Sequence, residues 1–380
     1  MTMNKIKFIL ASALAAVAIS SCVKEEKIVL QDPFTYDEQY YANVREFKKS
    51  EHTLSYCYYA AWAPLEGLTG YKDPASWGER LRGLPDSLDI CNLWMGYPSP
   101  DPKSSSYAPV AYADMKYCQE KLGTRFVLHG DAASTREVTY NGEVINIKDA
   151  YEAYKWNGDE SAKATLYKGL DNHVQLMLDK VNEAGLDGVD VDWEPNDWNK
   201  SNTDLWEDHE TIIYVMKKLN EALKPQGKLV ILDLYSDVPP ADVNPYIDYL
   251  VIQCYTPQIR CSVADLQNHY NRRGVNAGIP AEKIIICEQG GDTEYALNGG
   301  GAWYESTTYD SGAKGYVGVG PIMTTDGSQM YSYEGFARHA SENKMAGWGV
   351  FYLDRNYYSR SGTPYREFRR GIQFANPSIY

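Results

Sequence analysis

Eight short apolar runs, separated by stretches with helical spacing, leave this chain few folds to choose from. They are Thr53–Ala61, Leu88–Met95, Arg125–His129, Gly188–Trp193, Lys228–Leu234, Tyr249–Cys254, Lys283–Cys287 and Gly347–Leu353. Most are near-continuous rather than alternating, as parallel strands covered on both faces must be. Between them lie helical patterns such as Ala164–Ala184, closed by Gly185 in the capping position, and Asp204–Leu223, followed by Pro225. Repeated βα units of this kind predict an α/β fold, a single (β/α)8 TIM barrel. A doubly wound open sheet is the rival, but no glycine-rich phosphate loop follows the first run.

The segments after strands are long and those before strands are short. Residues 94–110 are rich in Pro and Ser, 130–157 hold a hairpin turning at Asn141-Gly142, and 290–330 are thick with Gly and Tyr. In a barrel, loops that follow strands gather at the C-terminal face, where active sites are built.

The N-terminus reads differently. Lys5 and Lys7 precede an apolar stretch, Phe8–Ile19, too short to cross a bilayer as a helix. It ends in Ile19-Ser20-Ser21-Cys22, which looks like a bacterial lipobox, with cleavage before Cys22 and a lipid on its thiol. Lys24-Glu25-Glu26 resembles the acidic tag that carries lipoproteins of the Bacteroides type to the cell surface. The expected division is a signal peptide over 1–21, a tether over 22–50 and a catalytic barrel over 51–380. The expected location is the outer membrane, reached through the lipid, and the expected state is a monomer. The six further cysteines show neither a disulfide framework nor a zinc pattern, and four lie in buried strands; all read as structural.

A net charge of -14 without any basic run excludes nucleic acid as a partner. The chain has 32 Tyr and nine Trp, whose ring faces suit the apolar faces of sugars.

The chemistry sits in Leu186-Asp187-Gly188-Val189-Asp190-Val191-Asp192-Trp193-Glu194. Strand side chains alternate, so Asp190, Asp192 and Glu194 point one way and Val189, Val191 and Trp193 the other. In a barrel the apolar set packs under helices and the acids line the interior, with Glu194 at the mouth. Same-face neighbours sit roughly 6.5–7 Å apart, so at least one carboxyl in a partly dry site keeps its proton. Glycosidic cleavage needs such an acid, because the leaving alkoxide departs poorly without a proton. A calcium loop would need Gly at its sixth position, and Pro195 stands there.

Asp187-x-x-Asp190-x-Asp192-x-Glu194 resembles the signature of glycoside hydrolase family 18, the chitinases and endo-β-N-acetylglucosaminidases, and it falls on the fourth predicted strand, where the family carries it. The resemblance implies that Glu194 is the general acid/base, that Asp192 orients the substrate's acetamido group, and that Asp190 supports Asp192. Two strands later, Gln253 and Tyr255 look like the Gln-x-Tyr pair of the endoglycosidase branch, which contacts the acetamido carbonyl and the reacting sugar. The family is an exception to the two-carboxylate scheme: the substrate's own 2-acetamido oxygen attacks the anomeric carbon and forms an oxazolinium ion. That route requires no metal and no organic cofactor.

An intact Glu194 favours an enzyme over a non-catalytic glycan-binding relative. Phe351 stands where chitinases place a Trp under the cleavage point, which weakens the chitinase alternative. The expected substrate is therefore the chitobiose core of N-glycans on glycoproteins. Trp62, Trp94, Tyr97, Tyr235 and Tyr352, at strand ends, are candidate groove aromatics, and Asn196 and Trp198 are candidate sugar contacts after Glu194. Trp348, at the start of its strand, reads as core.

Overall fold

Each of the eight apolar runs contains a parallel strand in the computed structural model, which describes residues 35–60, 81–94, 96–195, 203–255, 260–290 and 293–377. In chain order the strands are β1 (Leu54–Tyr58), β2 (Ile90–Leu93), β3 (Arg125–Asp131), β4 (Glu137–Tyr140), β5 (Glu143–Asn146), β6 (Gly188–Asp192), β7 (Leu229–Leu234), β8 (Tyr249–Gln253), β9 (Ile284–Gln289), β10 (Tyr304–Asp310), β11 (Gly315–Pro321) and β12 (Gly347–Phe351). Eight of them close a barrel in the order β1-β12-β9-β8-β7-β6-β3-β2, while β4–β5 and β10–β11 form separate hairpins. The β4–β5 turn is Asn141-Gly142, both with positive φ, as a tight two-residue hairpin requires.

Period two sorts the side chains into two layers. Ile90, Val127, Leu229, Ile231, Val251 and Ile285 fill the barrel interior. Val189, Val191, Trp193, Val230, Leu232, Ile286, Trp348 and Val350 face outward into the larger core shared with the helices. The helix Glu160–Glu183 covers part of that face; Asp159 caps its start by accepting from Ser161 N–H, and Gly185 turns the chain with φ 61°. Gly188 starts β6 because a Cβ there would lie 2.2 Å from the Leu229 carbonyl oxygen.

Two expectations change. The tether ends sooner, since Glu38–Lys49 is a helix with Asp37 as its N-cap and Tyr41 buried. Its Tyr40, Tyr41, Val44 and Phe47, at i, i+1, i+4 and i+7, share one helix face, and Lys48 donates to the Leu88 carbonyl at 2.5 Å and to Thr124 Oγ1 at 2.8 Å. The helix expected over Asp204–Leu223 is two, Thr203–Glu207 and His209–Leu223. Asp208 breaks it by capping the second, accepting from Glu210 N–H. No helix of the described residues is long and apolar enough to cross a membrane. All six cysteines from Cys57 to Cys287 are free and buried.

Candidate active site

A cavity of about 870 Å³ opens at the C-terminal ends of the barrel strands. Its lining follows from the inward parity of each strand: Tyr58 from β1, Trp94 after β2, His129 and Asp131 from β3, Asp192 and Glu194 from β6 and its end, Tyr235 after β7, Gln253 and Tyr255 from β8, and Phe351 from β12. Glu194 is buried at 6% exposure, Asp190 lies fully buried beneath it, and Gln253 is buried too. The three acids expected to face inward do so, with Trp193 pointing out and donating its indole N–H to the Trp206 carbonyl at 2.7 Å.

A fourth acid joins them from the neighbouring strand. Asp233 on β7 is fully buried and pairs in register with Asp192. One carboxylate oxygen from each of Asp192, Glu194 and Asp233 lies within 4.8 Å of the other two. Asp190 Oδ2 accepts from Asn92 Nδ2 at 2.9 Å and from the Tyr56 hydroxyl. Asp233 Oδ1 accepts from Gln253 Nε2 at 2.6 Å. The remaining oxygens, Asp190 Oδ1, Asp192 Oδ1 and Asp233 Oδ2, are buried and reached by no N–H or hydroxyl donor. Carboxyl protons shared among the acids can satisfy them.

The electrostatics agree. Burial, then the Asp233 and Glu194 charges, holds Asp192 well above the usual carboxylate range. Burial, then Asp190 and Glu194, does the same to Asp233. Asp190 is lifted by burial to about 6, with the bonds from Tyr56 and Asn92 opposing the rise. Tyr255 keeps its hydroxyl proton, pushed far up by burial and then by Cys287 and Asp233. Burial lowers His129 to about 4, so the imidazole 3.7 Å from Asp192 Oδ2 is neutral. Asp131 is the exception. Its carboxylate is wrapped by Ala133 N–H at 2.7 Å, Ser134 N–H at 2.9 Å and Thr135 Oγ1 at 3.1 Å, and by the Ser134 hydroxyl. Those bonds outweigh its burial and keep it ionised.

The spacing of Asp192, Glu194 and Asp233 is also one a divalent cation could occupy.

Phe351 forms an aromatic wall with three other lining residues, Tyr255 stacked at 5.6 Å and 25°, Trp94 edge-on at 5.2 Å, and Tyr58 edge-on at 5.5 Å. Trp94 and Tyr235 line the cavity as expected. Tyr352 does not. Its left-handed backbone, φ 57°, turns it behind Trp94 at 5.0 Å, with Arg355 over its ring at 4.0 Å. Tyr97 is also absent from the lining, because its hydroxyl donates to Glu183 at 2.9 Å at the end of the helix Glu160–Glu183. Trp62, Asn196, Trp198 and Cys22 lie outside the described residues. Sequence reasoning missed Tyr56, Tyr58, Asn92, His129, Asp131 and Asp233. The signal was present, since each shares its strand's inward parity and Asp233 is a lone acid in the apolar run of β7.

The chain matches the family description "Glycoside hydrolase family 18, BT1044-like" over residues 18–372. It belongs to glycoside hydrolase family 18. Among solved structures this family 18 chain is similar to BT1044, at 18% identity and TM-score 0.59 over 90% of this chain and 93% of that one. It is similar to the endo-β-N-acetylglucosaminidase of Cordyceps militaris, at 18% identity and TM-score 0.54 over 91% and 98%. A chitinase of Rhizomucor miehei aligns at 14% identity and TM-score 0.50 over 84% and 99%. At such identities what is shared is the fold.

Proposed function

We propose that this family 18 glycosidase is a retaining endo-β-N-acetylglucosaminidase that cuts between the two core N-acetylglucosamines of N-glycans on glycoproteins. The observation that carries the mechanism is the gathering of Asp192, Glu194 and Asp233 at the barrel mouth, with Glu194 buried in the cavity. Family 18 chemistry is an exception to the two-carboxylate scheme, and membership of that family supports a nucleophile that comes from the substrate, as the oxygen of its 2-acetamido group.

Glu194 donates a proton to the departing glycosidic oxygen while the acetamido oxygen attacks the anomeric carbon. Asp192, as a carboxylate, accepts the acetamido N–H and steadies the oxazolinium ion. Tyr255, held as a phenol, donates toward the acetyl oxygen. Gln253 serves the same group while its amide N–H keeps Asp233 in place. Glu194 next takes a proton from water, which opens the ring on the original face. Asp190 supports Asp192 from below, and Trp94 and Tyr235 stack against sugar.

The endoglycosidase reading over chitinase rests on the wall residue Phe351, whose ring is smaller than an indole and lies against Tyr255. The lipid at Cys22 and the outer-membrane location are parts of the same proposal, resting on the N-terminal sequence. Incubating the soluble domain with an N-glycosylated protein and with chitin oligomers, then weighing the products, tests it. One N-acetylglucosamine left per site is the expected result. Shortened chitin oligomers alone would overturn the substrate, and binding without product would overturn the enzyme.

A further inference from the structure

We propose that Asp233 is a positioning residue that acts through Asp192, taking up the Asp192 proton when the substrate's acetamido N–H arrives; this rests on the glycosidase reading above. Asp233 lies outside the acidic motif, on β7, directly beside Asp192 in the strand register. The Gln253 N–H bond to Oδ1 fixes the plane of its carboxyl group. That leaves Oδ2 buried without an N–H or hydroxyl partner, and the same holds for Asp192 Oδ1 and Asp190 Oδ1. Three such acceptors on two adjacent strands can be paired by protons passed among them.

In the resting site Asp192 carries the proton and donates it to Asp233. An incoming N–H needs an acceptor, so the proton crosses from Asp192 to Asp233 Oδ2. Asp192 becomes the carboxylate and Asp233 the acid. No proton enters or leaves the pair, and Asp233 can then donate to Asp190 Oδ1. When product departs, the proton returns. Both residues are held well above the ordinary carboxylate range, first by burial and then by neighbouring carboxylates, so moving a proton between them is easier than losing one to solvent.

The other groups facing the pair leave this exchange alone. Tyr56 and Tyr58 on β1, Tyr255 after β8 and the Cys287 thiol on β9 are all pushed up by burial and stay protonated. His129 on β3 is lowered to about 4 and stays neutral. Asp190 and Glu194 complete the acidic set.

Asp233→Asn removes both the like charge and the proton store while keeping the shape. The pH profile of kcat/KM, on a substrate the wild type cleaves, should show its acid limb moved down by about one pH unit. Carboxyl-carbon NMR should show the Asp192 midpoint moved down with it, and Asp233→Ser should shift both the same way if the Asn variant fails to fold. On the wild type itself, binding an N-acetylglucosamine oligomer should deprotonate Asp192 and protonate Asp233. Lower activity with an unmoved profile and an unmoved Asp192 titration would overturn the inference alone. A wild type that cleaves no glycan would overturn the reading beneath it as well.

Discussion

Removing one oxygen from β1 should destabilise the protein by an amount that depends on pH. The Tyr56 hydroxyl donates to Asp190 Oδ2, which has Asn92 as its other donor. Burial has already raised Asp190 to about 6, and these two bonds restrain it there. A hydrogen bond contributes about 1.5–3 kcal/mol to a charged group and about 1 kcal/mol to a neutral one, so the two protonation states differ by about 0.5–2 kcal/mol, or about 0.4–1.5 pH units at 1.36 kcal/mol per unit. In Tyr56→Phe, Asp190, now at about 6, should therefore ionise near pH 6.5–7.5. Its folded value lies above that of an unfolded carboxylate, about 3.9. The stability it contributes is thus complete at low pH and is lost as pH rises through the folded value. At pH 5 Asp190 is protonated in both proteins, and only a neutral bond of about 1 kcal/mol is at stake. Above about pH 8 the full 1.5–3 kcal/mol is expressed. With about 2.1 cal/mol/K of unfolding entropy per residue over about 340 residues, each kcal/mol shifts Tm by roughly 1.4 °C. Thermal melts of both proteins from pH 5 to 8.5 should show a deficit of roughly 1 °C growing to roughly 2–4 °C. A deficit that is flat with pH, or larger at pH 5, would mean that Asp190 is not the buried neutral acid described here.

Two substitutions test the cavity itself. Glu194→Gln should lower kcat by about 10²–10⁴-fold with Tm within about 2 °C of wild type, and near-normal turnover would remove Glu194 from the acid/base role. Phe351→Trp should raise the kcat/KM ratio of chitin oligomers to N-glycoprotein, because an indole widens the wall beside Tyr255; an unchanged ratio would show that the wall residue does not select substrate.

Much of this architecture can be read from local pattern. Near-continuous apolar runs such as Leu229–Leu234 declare a strand covered on both faces, and the single Asp233 within it is the kind of exception that marks function. Alternation within Gly188–Asp192 fixes which side chains face inward before any coordinates exist. The helix Glu38–Lys49 was legible too, through Asp37 and the Tyr41–Val44–Phe47 face, but its polar composition hides it. Tyr352 could not be read, because a left-handed φ at the end of β12 is set by the turn that follows and not by strand parity.

The sequence by itself determined the eight barrel strands and the inward acids of β6, because a period of two is a property of the backbone alone. Only the tertiary structure decided that Asp233 lies beside Asp192, that Tyr56 and Asn92 reach Asp190, and that Phe351 stacks on Tyr255. Those pairings join residues far apart in the chain. They depend on the stagger of neighbouring strands as the barrel closes, and that stagger is set by packing over the whole ring rather than by any one segment.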